Sequence, residues 1–310
     1  MLNKIKSVII GHAIGDALGV PVEFNNRSSL KNNPVVSMRG FGTYAVPAGS
    51  WSDDTSMSLC ALKSLSNGYV DYDDIMSNFV KWYTNADFTA TDEVFDIGRT
   101  CYEAIYNYKN RKLPINLCGQ NDERSNGNGS LMRINPFVLY AYYNNIADEK
   151  EFNRMIATAS SLTHAHKCSI DGCIIYSYVL KEILKNPSKE SVYRGLDNAK
   201  HHLVSNVDYY NRLLNNDIAK FNEQDIKSNG YVVSTLEAAL WCLLTTKNYK
   251  DCVLTAVNLG SDTDTVAAIA GGLAGALYGM EDIPSEWLAT LKRRDYIEKM
   301  CVNAYKNWEE

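Results

Sequence analysis

The sequence lacks the spacing that marks zinc sites and disulfide frameworks. It has five histidines and eight cysteines in 310 residues. No two cysteines form a C-x-x-C pair, and no histidine is spaced with cysteine as a zinc ligand. Cys60 in MSLCAL and Cys242 in LWCLL lie inside apolar runs, which predicts free buried thiols. Positive charge is short as well, with 31 Lys and Arg against 36 Asp and Glu. A protein that binds nucleic acid through its phosphates carries a basic stripe, and none is present. No uninterrupted apolar run reaches the roughly 18 residues of a membrane span. The longest candidate, Val266 to Met280, is short and rich in small residues, which suits a buried helix. His12 and Asp16 interrupt the N-terminal apolar patch too early for a signal-peptide core. These absences predict a soluble, cytoplasmic protein with no membrane or nucleic-acid partner.

Strand signals are scarce too. Strict alternation of apolar and polar residues is rare, and no Asn-Gly turn joins two strand-like runs. Asn126-Gly127 and Asn128-Gly129 lie instead in a glycine loop. What remains is helical spacing. Leu236, Leu240, Leu243 and Leu244 recur every three to four residues, and Ser234 with Glu237 reads as a capping box that starts this helix. The segments SIDGCIIYSYVLKEIL, DDTSMSLCALKSL and RTCYEAIYNYK share the period. The seven prolines fall between such segments. No repeat and no Gly/Ser/Pro linker divides the chain. Residues 187–229 are polar and read as a solvated helical excursion within one domain, 1–310. The fold class is all-α.

Glycine is used in a particular way. Gly11, Gly15 and Gly19 recur every four residues, and so do Gly271, Gly275 and Gly279. That spacing lines one helix face with small residues and lets another backbone approach. Glycine inside a helix costs about 0.5–1 kcal/mol relative to alanine, so close packing of the two helices is the expected compensation. Both stripes adjoin carboxylates: Asp16 in the first, Asp262 and Asp264 in the second.

A second acidic cluster, WSDDT, places Asp53 and Asp54 between Ser52 and Thr55, ahead of an apolar helix. GSDTDT at 260–265 has the same order of hydroxyl and carboxylate. Either alone reads as a helix cap. An EF-hand is excluded for the second, because Ala267 and Leu273 stand where Gly and Glu are required. If the clusters meet, four carboxylates crowd one spot and raise one another's pKa. An all-oxygen donor set of carboxylates and hydroxyls suits hard divalent cations, Mg²⁺ or Mn²⁺, and more than one can share such a site.

In order along the chain stand GHAIGDALGVPVEF (11–24), WSDDT (51–55), FDIGRT (95–100), SNGNGSLMR (125–133), LTHAH (162–166), NGYVVSTLEAALW (229–241) and GSDTDTVAAIAGGLAGALYG (260–279). This series resembles the ADP-ribosylglycohydrolases over nearly the whole chain. The resemblance implies a compact, single-domain, orthogonal helical bundle with a metal-containing cleft. It implies two divalent cations, Mg²⁺ or Mn²⁺, held by Ser52, Asp53, Asp54, Asp262, Asp264 and Thr265. Many members carry threonine where this chain has Ser52, and a serine hydroxyl serves the same purpose. The ligand-binding positions implied are Asp96, Gly127, Asn128, Gly129, Ser130, Met132, His164, Gly230 and Tyr231. Arg99 stands where the nitrogen-fixation type carries a small polar residue.

The implied reaction is hydrolysis of the N- or O-glycosidic bond at C1″ of ADP-ribose in a modified protein or other conjugate. Asp54 or Glu23 takes the proton of the attacking water. Two other readings share these residues. One is an ADP-ribose-binding or structural member of the fold without catalysis, in which the Asp pairs are dispensable. The other is metal-dependent phosphoester hydrolysis, which leaves SNGNGSLMR and NGYVV without a purpose.

Overall fold

The computed structural model describes residues 1–308, and among them there are helices and turns but no strands. The helices are α1 (Leu2–Gly19), α2 (Arg27–Asn32), α3 (Asp53–Leu65), α4 (Tyr72–Asn85), α5 (Arg99–Lys109), α6 (Asn135–Tyr143), α7 (Glu149–Ser161), α8 (Lys167–Lys185), α9 (Lys189–Ala199), α10 (Asn211–Asn215), α11 (Val232–Thr245), α12 (Tyr249–Asn258), α13 (Thr263–Tyr278), α14 (Ser285–Thr290) and α15 (Arg294–Trp308). The segments 53–65 and 99–109 that the periodicity picked out are α3 and α5 to the residue.

Helices of two kinds build the core. Those at the periphery are amphipathic: α4 buries Ile75, Met76, Phe79 and Trp82 on one stripe and leaves Lys81 outside. α1 and α13 are buried nearly all round and pack along each other at the centre. α3 and α15 flank α1, while α8, α11 and α12 flank α13. Leu2–Val22 is long and apolar enough to cross a membrane, and 94% of that window is buried inside the protein. The longest apolar stretch is thus at the N-terminus and not at Val266–Met280, and its polar interruptions, His12 and Asp16, are themselves buried.

The glycine stripes meet. A Cβ on Gly11 would lie 2.6 Å from Gly271 O, one on Gly15 2.0 Å from Ala267 O, and one on Gly275 1.9 Å from Ser7 O. At the far end a Cβ on Gly19 would lie 2.4 Å from the Cα of Asp264. The helices touch main chain to main chain. Gly279 is the exception to the stripe: it follows α13 with φ +84°, and glycine is required there by conformation.

Two local expectations give way to tertiary structure. α11 begins at Val232, so Ser234 sits inside its first turn and caps nothing. Glu237 turns to Arg212 at 3.1 Å instead. The polar stretch 187–229 is less solvated than its composition suggests. α9 buries Val192, Leu196 and Ala199 and packs on α8. Tyr210 is buried and donates to Cys168 O at 2.9 Å. All eight cysteines are free and buried.

Candidate active site

The N-termini of α3 and α13 point at one cleft of about 290 Å³. Ser52 is the N-cap of α3: its Oγ accepts from Asp54 N at 3.3 Å. Asp262 holds the corresponding position before α13, but its side chain caps nothing. Its Oδ2 instead accepts from Asn128 Nδ2 at 2.7 Å, across the cleft. The clusters, so far apart in sequence, meet through the Thr265 hydroxyl, which donates to Asp54 Oδ2 at 3.3 Å. The Ser52 hydroxyl donates to the same oxygen at 3.1 Å.

Asp16, on α1, lies beneath the first cluster. Its carboxylate accepts from Ser52 N at 2.9 Å, from Thr55 N at 3.0 Å and from the Thr55 hydroxyl at 2.6 Å. It does for α3 what a second cap would do, satisfying N–H groups that a helix start leaves open. Burial still holds its pKa up, at about 6.

The carboxylates around the cleft floor are costly. Burial first, and then their neighbours' charge, push Asp53, Asp54 and Asp264 well above the usual range. Asp54 Oδ1 and Asp264 Oδ2 are buried with no hydrogen-bond partner. Such orphans are rare in folded proteins and call for an explanation. Hard cations supply one, since carboxylate and hydroxyl oxygens are their preferred donors, and the residues present fit such an ion. Glu23, Asp96 and Asp264 each offer a carboxylate oxygen within 4.8 Å of the others. That trio shares only Asp264 with the six metal positions drawn from the sequence. Asp54 lies outside that trio, with two hydroxyls engaging its Oδ2.

Glu23 follows α1 across a short turn. Tyr44 donates to its Oε2 at 2.7 Å, and Thr43 Oγ1 donates to its main-chain O at 2.7 Å. Burial, with Asp96 next in size, raises its carboxyl to about 8. Asp96 itself is raised to about 6, by burial and then by Asp262. It sits at φ +56°, a left-handed conformation that Asp tolerates better than most residues.

The opposite wall is the glycine loop and a histidine. Asn128 N donates to Gly230 O at 3.1 Å and Val232 N to Asn126 O at 3.0 Å, which joins the loop to the start of α11. Asn128 Nδ2 also donates to Thr235 Oγ1 at 2.9 Å. His164 is held through Gln120, whose N donates to Thr163 O at 2.9 Å and whose O accepts from Ala165 N at 2.7 Å.

Of the residues singled out in the sequence, Glu23, Asp53, Asp96, Gly127, Asn128, Gly129, Met132, His164, Gly230, Asp262 and Thr265 line the cleft. Ser52, Asp54 and Asp264 are buried under it. Ser130 and Tyr231 are not part of the lining. Ser130 is buried behind the loop, where its Oγ lies 3.0 Å from Ser160 Oγ. Tyr231 is 41% exposed, its hydroxyl 3.6 Å from Cys168 Sγ. Sequence reasoning missed Tyr44, Phe24, Gly98, Thr100 and Cys101, the last four of which line the cleft. Phe24 had a signal in retrospect, since it follows Glu23 directly. Tyr44 had none, being one of 20 tyrosines.

The sequence model of the ADP-ribosylglycohydrolase family matches residues 1–310. An ADP-ribosylarginine hydrolase (Tri1) of Serratia proteamaculans is 33% identical, over 98% of this chain and 79% of its own length. The ADP-ribosyl-dinitrogen reductase glycohydrolase of Rhodospirillum rubrum is 30% identical, over 93% of this chain and 90% of its own. A solved chain described as part of an "ADP-ribosylglycohydrolase-related protein complex" superposes with a TM-score of 0.83 at 29% identity, covering 100% of this chain and 99% of the other. The chain belongs to the ADP-ribosylglycohydrolase family, and it is a hydrolase of glycosidic bonds.

Proposed function

We propose that the protein removes ADP-ribose from an arginine side chain by hydrolysing the N-glycosidic bond at C1″. The observation that carries this reading is the convergence of the two Asp clusters, with buried unpartnered oxygens, opposite a glycine loop in one cleft. Two observations support the acceptor. One relative is named for ADP-ribosylarginine, and Asp96 offers a guanidinium two oxygens in the fork geometry that favours arginine.

Ser52, Asp53, Asp54, Asp262, Asp264 and Thr265 would hold two divalent cations, Mg²⁺ or Mn²⁺. Bound there, the cations supply charge neutralisation and a lowered pKa for water. The chain's own residues do the rest. Glu23 is the better-placed proton acceptor of the two named from sequence. It lines the cleft, and the Tyr44 bond to Oε2 holds its carboxyl in place. Asp54 lies beneath the lining with Oδ2 engaged by two hydroxyls. A group with a pKa near the working pH is the efficient acid or base. The sugar passes through an oxocarbenium-like state, which the surrounding carboxylates stabilise by charge. Asn128, fixed between Thr235 and Asp262, keeps the loop's main chain close enough to face the ligand.

The test is release of ADP-ribose from an ADP-ribosylarginine peptide, followed by mass spectrometry, with Mg²⁺, with Mn²⁺ and after chelation. Metal-dependent release that falls about 10²-fold or more in Glu23→Gln supports the reading. No release with either metal, alongside release from a serine-linked peptide, would overturn the arginine acceptor. No release from either would overturn the reading as a whole.

A further inference from the structure

Arg133 ends the SLMR sequence and is fully buried, yet among the described residues no carboxylate forms an ion pair with it. Its Nη1 donates to Ala159 O at 3.1 Å and its Nη2 to Thr163 Oγ1 at 2.7 Å. The guanidinium lies 5.0 Å from the centre of the Phe79 ring, and Nε has no partner. A buried cation held this way is expensive, so its position calls for a use.

The chain of contacts runs toward the cleft. Thr163 Oγ1 is 2.8 Å from His164 Nδ1. A guanidinium only donates, so the Thr163 oxygen is the acceptor in its bond to Arg133. The hydroxyl has one proton to give. Its candidates are His164 Nδ1 and the Cys101 sulfur, and sulfur is the weak acceptor. Donation to Nδ1 leaves the ring proton on Nε2. We propose that Arg133 and Thr163 are positioning residues that fix His164 in its Nε2–H tautomer and aim that proton at an anionic phosphate oxygen of the ligand. The diphosphate of ADP-ribose is that anion, which rests on the function proposed above.

The surroundings agree. Burial, and then the Arg133 charge, push the His164 pKa down to about 3, so the ring is neutral and has one proton to place. The loop glycines leave the Nε2 edge clear. A Cβ on Gly129 would lie 2.9 Å from His164 Cε1, and one on Gly127 3.6 Å from Nε2. A Cβ at 129 would also press on Cys101 Sγ at 2.8 Å, so the loop needs glycine at 129 to lie this close to both side chains. His164 N donates to Ser160 O at 2.8 Å and the Ser160 hydroxyl donates to His164 O at 2.9 Å, which holds the backbone still while the relay sets the ring. A neutral donor suits a site whose other wall is already crowded with charge. It recognises an anion without pairing with the carboxylates opposite.

Long-range ¹⁵N–¹H correlation spectra of histidine-labelled, ligand-free protein read the tautomer directly. A pyridine-type Nδ1 with a protonated Nε2 on His164 is expected, and a protonated Nδ1 would overturn the proposal even if no variant folds. In Thr163→Val the two tautomers should mix, and calorimetric ADP-ribose affinity should fall about tenfold, the worth of one hydrogen bond to a charged group. Thr163→Ser, which keeps the hydroxyl, should restore both. Unchanged affinity in Thr163→Val, or no rescue by serine, would overturn the aiming of the proton. Absence of ADP-ribose binding by the unaltered protein would count against the functional reading instead, because the tautomer is read without ligand.

Discussion

The two walls of the cleft solve opposite problems. The acidic wall, at the starts of α3 and α13, holds carboxylates above their ordinary pKa and leaves Asp54 Oδ1 and Asp264 Oδ2 unpartnered. The loop wall is nearly self-satisfied: Asn128 bonds Thr235 and Gly230, Gln120 bonds Thr163, and a buried cation stands behind them. The first wall is unstable until something arrives, and the second is finished beforehand. A charged group left unpaired in a buried site costs far more than a neutral one, so the acidic wall is where binding energy is stored. The loop wall gives shape and hydrogen-bond direction.

Breaking the acidic wall should have the largest effect. Asp264→Ala and Asp54→Ala should each lower turnover by about 10²-fold or more with helicity by circular dichroism retained. The same variants, chelated, should melt higher than the parent, because a buried unpaired carboxylate is gone. A lower melting temperature in both would mean that these carboxylates stabilise the metal-free fold. Gly15→Ala attacks the frame under that wall. Its Cβ would lie 2.0 Å from Ala267 O, with only main chain to push. A loss of about 3 kcal/mol in urea unfolding is expected.

The contrast also has a pH signature. Glu23 at about 8 and Asp96 at about 6 lie above their unfolded values. A carboxyl raised on folding adds stability that is complete below its unfolded pKa and is lost as pH rises through its folded pKa. The melting temperature of chelated protein should therefore fall between pH about 5 and about 8. Added Mn²⁺ should flatten or reverse that slope, since cations favour the ionised form. A flat profile in the chelated protein would show that the two walls do not differ in charge stress. The smallest effect belongs to Ser52→Thr, which keeps the hydroxyl that caps α3 and donates to Asp54. Turnover should stay within about twofold, whereas Ser52→Ala should cost about 1 kcal/mol of stability for the lost cap.

What was legible in the sequence follows the same division. α3 and α5 were readable to the residue because their starts are set by local chemistry, Ser52 as a cap and Gly98 as an extended lead-in. The glycine stripes announced the α1–α13 contact, since four-residue spacing has few other uses. The Asp pairs stood out in the sequence because hydroxyls flank the carboxylates in both. Asp16 was visible as a charge in an apolar helix, but its bonds to Ser52 and Thr55 exist only once α1 and α3 meet. Tyr44 reaches Glu23 from a loop without pattern. The start of α11 was misplaced because Asn126 and Gly127, a hundred residues earlier in the chain, hold Tyr231 and Val232 in a bridge and so decide where the helix begins.

Where Gly19 meets the Cα of Asp264, the backbone that carries a carboxylate is set by the contact of two main chains. An ordinary site can be retuned by letting a supporting side chain turn. This floor offers no such adjustment, and any change to it is a change to the centre of the molecule. Anyone redirecting the enzyme to another acceptor should leave α1 and α13 alone. The rim at Phe24, Asp96 and Arg99, which borders the cleft without belonging to that contact, is the part that tolerates rewriting.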